Sequence, residues 1–89
     1  MKVRNMTSPR SGNPVANQFL IIDEQGNHFF QSYGVLVAKE ERGGITLLDE
    51  KYYNYSNTTI RYRNQFLNLD SKEVKAKIKS GEILLTNLN

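Results

Sequence analysis

Basic side chains at helical spacing are the residues of this sequence best suited to binding chemistry. Lys72, Lys75 and Lys79 recur at intervals of three and four residues, which places them on one face of an α-helix. Arg61 lies in the preceding segment, opposite its apolar half on a helical wheel. Such cations neutralise phosphates, with an affinity that falls as salt rises. The sequence therefore predicts a nucleic-acid-binding surface of Arg61, Lys72, Lys75 and Lys79.

Residues that could catalyse a reaction or hold a metal ion are sparse. His28 is the single histidine and there is no cysteine, so the usual ligand sets for zinc are missing. Asp49 and Glu50 are adjacent carboxylates, and adjacency alone builds no shared site. Ser32 and Ser56 have no predicted base beside them, and no glycine motif for phosphates occurs. We therefore expect a protein that is not an enzyme, with no catalytic residue, metal or cofactor.

An aromatic segment leads into the first predicted helix, and residues 52–62 hold four of the five tyrosines. These rings are either stacking platforms for unpaired bases or, as we favour, packing groups where helix meets sheet. Arg63 interrupts the apolar half of the helix. Either its stem packs on tyrosines while its head reaches the rim, or it is buried and paired with Asp49 or Glu50.

The net charge of +3 is unevenly distributed along the chain. Residues 1–16 carry three basic and no acidic side chains, residues 17–51 carry a net charge of −3, and residues 52–81 carry +4. The predicted helices and the N-terminal segment are thus basic, and the predicted sheet is acidic. This asymmetry favours an anionic partner, and the alternative is an ordinary solvated lysine face.

Short apolar runs precede the helical segments and predict strands. We place them at residues 17–23, 28–33, 35–40 and 45–48, separated by glycine-containing turns. Residues 83–85 are either a short last strand or a packed tail. Residues 1–16 are polar and are predicted to be a flexible basic tail, whose end is either free or tied to the sheet, with residues 17–89 as a single α+β domain.

Two helices follow, each with a clear start. Ser56 is a good N-cap for a helix that runs to Leu67 without glycine or proline. Asp70 and Glu73 have the spacing of a capping box for the second helix, and Gly81 is suited to its end. The expected fold is therefore a small antiparallel sheet of three to five strands with two helices packed on one face.

The predicted core is taken from the apolar face of each element. Its members are Phe19, Ile21, Phe29, Val35, Val37, Leu47, Ile60, Phe66, Leu67, Val74 and Ile78.

Four separated segments of the chain resemble a family of short uncharacterised proteins encoded by bacteriophages and mobile elements of Gram-positive bacteria. The segments are residues 8–19, 30–33, 55–59 and 62–67. The resemblance implies a phage accessory origin and a place of action in the host-cell cytoplasm, and it implies no catalytic residue. Two functions are then expected. The first is nucleic-acid binding through phosphates. The alternative is a protein-binding inhibitor of a host defence system, such as an anti-CRISPR-like or anti-restriction protein. The partner is accordingly nucleic acid or a host protein, with no membrane involved.

Overall fold

The computed structural model describes residues 1–89 and contains one sheet and two helices. The strands are β1 (Lys2–Thr7), β2 (Pro14–Ile22), β3 (His28–Ser32), β4 (Val35–Glu40), β5 (Thr46–Asp49) and β6 (Ile83–Thr86). The helices are α1 (Asn57–Leu67) and α2 (Ser71–Ser80), between β5 and β6. The strands lie in chain order, and all neighbours are antiparallel except β5 and β6. The fold is α+β as predicted, with six strands rather than three to five.

The N-terminal segment is part of the sheet, so the prediction of a flexible tail over residues 1–16 is wrong. Strand β1 pairs antiparallel with β2, with Lys2 opposite Ile22 and Asn5 opposite Phe19. The connecting turn is closed by a hydrogen bond from Gly12 N to Ser8 O of 2.8 Å. An edge strand can be polar because only one of its sides pairs. The low apolar content of β1 therefore concealed it.

The last strand completes the opposite edge of the sheet. β6 runs parallel to β5, with Leu47 opposite Leu84. Parallel neighbours need a crossover connection, and here α1 and α2 together supply it. The two helices are thereby fixed on one side of the sheet.

Both helices cover the same face and leave the other open. Phe30 of β3 is fully buried against α1, where its ring lies 6.0 Å from that of Phe66. Val74 of α2 belongs to the same core cluster, together with Leu48 and Ile83 from the sheet. Neither helix is long and apolar enough to cross a bilayer.

The predicted core is only partly correct. Three of the predicted residues are buried, namely Val37, Leu67 and Val74. Four others are half-buried on the helix side, namely Val35, Ile60, Phe66 and Ile78. The sheet residues that lie half-buried on the open face are Phe19, Ile21, Phe29 and Leu47. Side chains alternate between the two faces of a strand, so a core assigned one residue out of step falls on the wrong face. Strand β2 is apolar on both faces and gave no signal to choose between them.

The helix termini are those that the sequence predicts. Ser56 caps α1 by accepting a hydrogen bond from Thr59 N at 3.1 Å. Asp70 accepts from Glu73 N at 2.8 Å, while the Glu73 side chain accepts from Asp70 N at 3.1 Å, which completes the capping box of α2. Gly81 ends α2 in the left-handed conformation with a φ of 85°. These caps fix where α1 and α2 begin relative to the sheet.

Candidate anion-binding site

The guanidinium of Arg63 is the most unusual polar group of the fold. Arg63 lies in α1 and is 2% exposed, which makes it the largest fully buried side chain. Its Nη1 donates to the carbonyl oxygen of Tyr53 at 2.8 Å and to Oδ1 of Asn54 at 2.6 Å. Its Nε and Nη2 donate to Oδ1 of Asn64 at 3.2 and 2.9 Å. Arg63 therefore ties the loop before α1 to the helix through neutral acceptors.

No carboxylate lies within ion-pair distance of Arg63, so the predicted pair with Asp49 or Glu50 is wrong. The rim-exposed alternative is also wrong, because the whole side chain is buried. Asp49 is itself buried, but its oxygens accept from other donors, namely Lys51 N, Tyr52 N, Leu88 N and Asn89 Nδ2, at 2.8–3.0 Å. Glu50 is exposed. Amide donors of the adjoining turn and of the C-terminal segment thus satisfy the carboxylate that a buried cation would otherwise attract.

The pKa values of the two buried charged groups, Asp49 and Arg63, are both lowered. Burial raises the pKa of the Asp49 carboxyl group, but hydrogen bonds, led by that from Leu88 N, outweigh the effect and lower its pKa overall. Burial lowers the pKa of the Arg63 guanidinium, which nevertheless stays protonated. The helical layer therefore contains a buried positive charge with no anionic partner in the chain.

A cleft of about 590 Å³ opens beside this charge. It lies between α1, α2 and the loop before α1, and it is lined by Tyr53, Asn54, Ile60, Arg63, Ser71, Val74, Lys75, Ile78 and Lys79. Its apolar wall comes from both helices, while Lys75 and Lys79 are exposed and therefore form its basic rim. Asn64 Nδ2 donates to Ser71 Oγ at 2.9 Å and links the two helices next to Arg63. The cleft combines apolar surface with three positive charges.

Only part of the predicted basic surface lines this cleft. Arg61, Lys72, Lys75 and Lys79 are all exposed, and none lies within 4.0 Å of a carboxylate oxygen. Of these four, Lys75 and Lys79 line the cleft, and the other two lie outside its lining. Lys77, by contrast, is paired with Glu82 at 2.9 Å. Two of the three unpaired lysines of α2 therefore line the same cleft as the buried arginine.

The tyrosines divide between the core and the surface. Tyr62 is buried in the core, and Tyr52 and Tyr53 pack against it. Tyr33 and Tyr55 are exposed. Tyr53 also lines the cleft, and its carbonyl oxygen accepts a hydrogen bond from Arg63 Nη1. Arg63 and Tyr53 were not predicted as site residues, although the interruption of an apolar helix face by Arg63 was a usable signal.

The other polar residues considered for chemistry either make structural hydrogen bonds or lie outside the cleft. Ser32 is buried, and its Oγ lies 3.0 Å from Thr59 Oγ1. Ser56 serves as the N-cap of α1. His28 is exposed and lines a second, smaller cavity of about 310 Å³ with Glu40. No group of three or more His, Asp or Glu side chains is placed to hold a metal ion.

Fold and site together define a small α+β domain whose helical layer contains a cleft with a basic rim beside a buried arginine, on the covered side of the sheet. The chain belongs to the family of unknown function DUF8033, whose model matches residues 1–82. The match therefore includes the sheet strands β1 to β5, both helices and the whole lining of the cleft. Comparison with curated proteins and with solved structures finds no match.

Proposed function

We propose that this chain is a non-enzymatic accessory protein, of phage or mobile-element origin, that binds nucleic acid through Arg61, Lys72, Lys75 and Lys79. The observation that carries the proposal is the set of exposed, unpaired lysines of α2 beside the buried and uncompensated Arg63. Phosphates supply the missing anions. Lysine and arginine contacts to phosphates position a protein on nucleic acid without reading its sequence.

The physical consequence is an affinity dominated by salt. Each phosphate neutralised by a cation releases counterions, so the logarithm of affinity falls with the logarithm of salt by about 0.9 per contact on duplex DNA and about 0.7 on single strands. Four such contacts give measurable binding at low salt and weak binding at moderate salt. Loss of one lysine should weaken binding equally across sequences and reduce the slope by about one contact.

A filter-binding titration with generic DNA and RNA at several salt concentrations tests the proposal. The double reversal Lys75→Glu with Lys79→Glu should abolish binding at low salt. The control Arg10→Glu with Arg42→Glu makes the same change of charge at exposed residues of the turns after β1 and β4. We expect the control to retain most of the affinity. Equal losses in both variants would show that only net charge matters, and no binding by the parent protein at low salt would refute the proposal.

The open face of the sheet favours the second candidate, a protein-binding inhibitor of a host defence system. A row of paired residues crosses all six strands on this face, namely Val3, Ile21, Phe29, Lys39, Leu47 and Leu84. Five of the six are apolar, and Val3 and Leu84 are at least half exposed. Contiguous exposed apolar surface is typical of protein-binding sites. A pull-down from host cells that retains the same protein after nuclease treatment, and loses it when Phe29 is changed to Ser, would favour this candidate.

A further inference from the structure

We infer that the cleft between α1 and α2 takes one unpaired nucleotide of a single strand, with its phosphate at the Lys75 and Lys79 rim and its base beside Tyr53. The inference rests on the proposed function and specifies the form of nucleic acid that the basic surface selects. Bases in a duplex are stacked and paired, and their faces cannot enter a cleft unless the duplex opens. A site that accepts a base therefore prefers single strands.

The size and the wall of the cleft suit a base with its sugar. A volume of about 590 Å³ lies within the range of pockets that enclose small molecules, roughly 300–1,000 Å³. Ile60, Val74 and Ile78 supply apolar surface, and Tyr53 supplies an aromatic ring. Aromatic and apolar side chains are the usual surfaces against which unpaired bases pack, since every base has an apolar face.

The charges of the cleft suit a phosphate. Arg63 is buried without a carboxylate, and its five N–H donors make the four hydrogen bonds described above, which leaves one N–H of Nη2 available. Lys75 and Lys79 add two mobile cations at the rim. A single anionic group between Arg63 and the two lysines would partly compensate all three positive charges. Partly buried charge–charge contacts of this kind are screened by salt less than surface contacts are.

The polar groups of the lining distinguish a nucleotide from an apolar acid. Asn54 is exposed and brings an amide to the cleft, and Ser71 brings a hydroxyl group whose oxygen already accepts from Asn64. The Ser71 hydroxyl hydrogen and the Asn54 amide hydrogens can meet the acceptors of a sugar or a base edge. An aliphatic acid would cover these donors without pairing them, which is unfavourable.

A tryptophan reporter tests whether a base enters the cleft. The chain contains no tryptophan, so Tyr53→Trp places a single indole in the lining, and Phe29→Trp places one on the open sheet face as the control. Each variant is titrated at low salt with a short oligothymidine strand and with the corresponding thymine–adenine duplex. Anisotropy of a dye on the nucleic acid reports binding, and tryptophan emission reports entry. We expect the single strand to quench Tyr53→Trp and to leave Phe29→Trp unchanged, and the duplex to bind more weakly without quenching either.

The possible outcomes separate the inference from the proposed function. If both nucleic acids bind equally and neither quenches Tyr53→Trp, the basic surface binds phosphates and the cleft stays empty, which overturns the inference alone. If neither nucleic acid binds, the proposed function fails as well.

A second measurement first uses the parent protein and then exchanges only exposed side chains, so it does not depend on a substitution of the packed residue Tyr53. A strand carrying the fluorescent base 2-aminopurine should change its emission on binding. That change should be lost in Lys75→Gln and kept in Arg10→Gln, because Arg10 is exposed in the turn after β1 and lies outside both the cleft lining and the proposed basic surface. Equal behaviour of the two variants would also overturn the inference.

Discussion

Replacing Phe30 with alanine tests the assignment of the covered and open faces, because Phe29 beside it offers a matched control. Phe30 is fully buried and stacks on Phe66. Truncation of a buried phenylalanine costs about 3–5 kcal/mol of unfolding free energy, including the cavity that remains. Phe29 lies half-buried on the open face with Lys39 Nζ 5.5 Å from its ring centre. Truncation there leaves no enclosed cavity, and half of the burial free energy of one side chain is about 1 kcal/mol.

The two costs are large enough to be separated by standard unfolding experiments. A loss of 1 kcal/mol lowers the melting temperature of a domain of this size by about 4–8 °C. Phe29→Ala should therefore melt a few degrees below the parent, and Phe30→Ala at least twice as far below or not fold at all. Urea unfolding followed by circular dichroism gives both values. A larger loss for Phe29→Ala than for Phe30→Ala would refute the placement of the helices on the Phe30 face.

Three further predictions concern single residues. Asp49→Asn should destabilise the protein at neutral pH and leave it unchanged in acid. The lowered pKa of Asp49 stabilises the fold above the pKa of the unfolded state, and this stabilisation is lost as the pH falls through the pKa of the folded state. Urea unfolding at several pH values checks this, and a difference in stability that is constant with pH would contradict it. Gln18→Leu should stabilise the fold by about 1–3 kcal/mol, because both polar atoms of the buried Gln18 side chain lack a hydrogen-bond partner in the protein; a lower melting temperature would contradict this. Asp70→Ala should cost about 1 kcal/mol through loss of the α2 cap, measured by thermal unfolding; an equal loss in Lys72→Ala, an exposed residue of the same helix turn, would contradict this.

Local signals predicted those parts of the fold that local interactions determine. Ser56, Asp70, Glu73 and Gly81 act on the few residues beside them, and each has the capping role expected from its spacing. Strand β1 was missed because an edge strand needs little apolar surface of its own. Its place depends on β2, whose paired residues lie seven to twenty positions further along the chain.

The site was predicted less completely, and the reason is again the range of the interactions. The α2 lysines follow from helical spacing alone. The environment of Arg63 depends on which acceptors a loop and a helix turn bring to it, and the structure brings Tyr53 O and two asparagine oxygens rather than Asp49. The sequence pattern shows that Arg63 interrupts an apolar helix face, but it does not predict which acceptors will bind its guanidinium.

Nuclear magnetic resonance on the isotope-labelled protein tests the central claim, that the cleft beside Arg63 binds the anionic strand. Titration with a short oligothymidine at low salt should shift the Arg63 Nε–H signal and the backbone amides of Tyr53, Ser71 and Lys75, which line the same cleft. The amide of Phe29 on the open face should stay unchanged. Shifts confined to the open face, or no shift of the Arg63 signal while the strand is bound, would contradict the account.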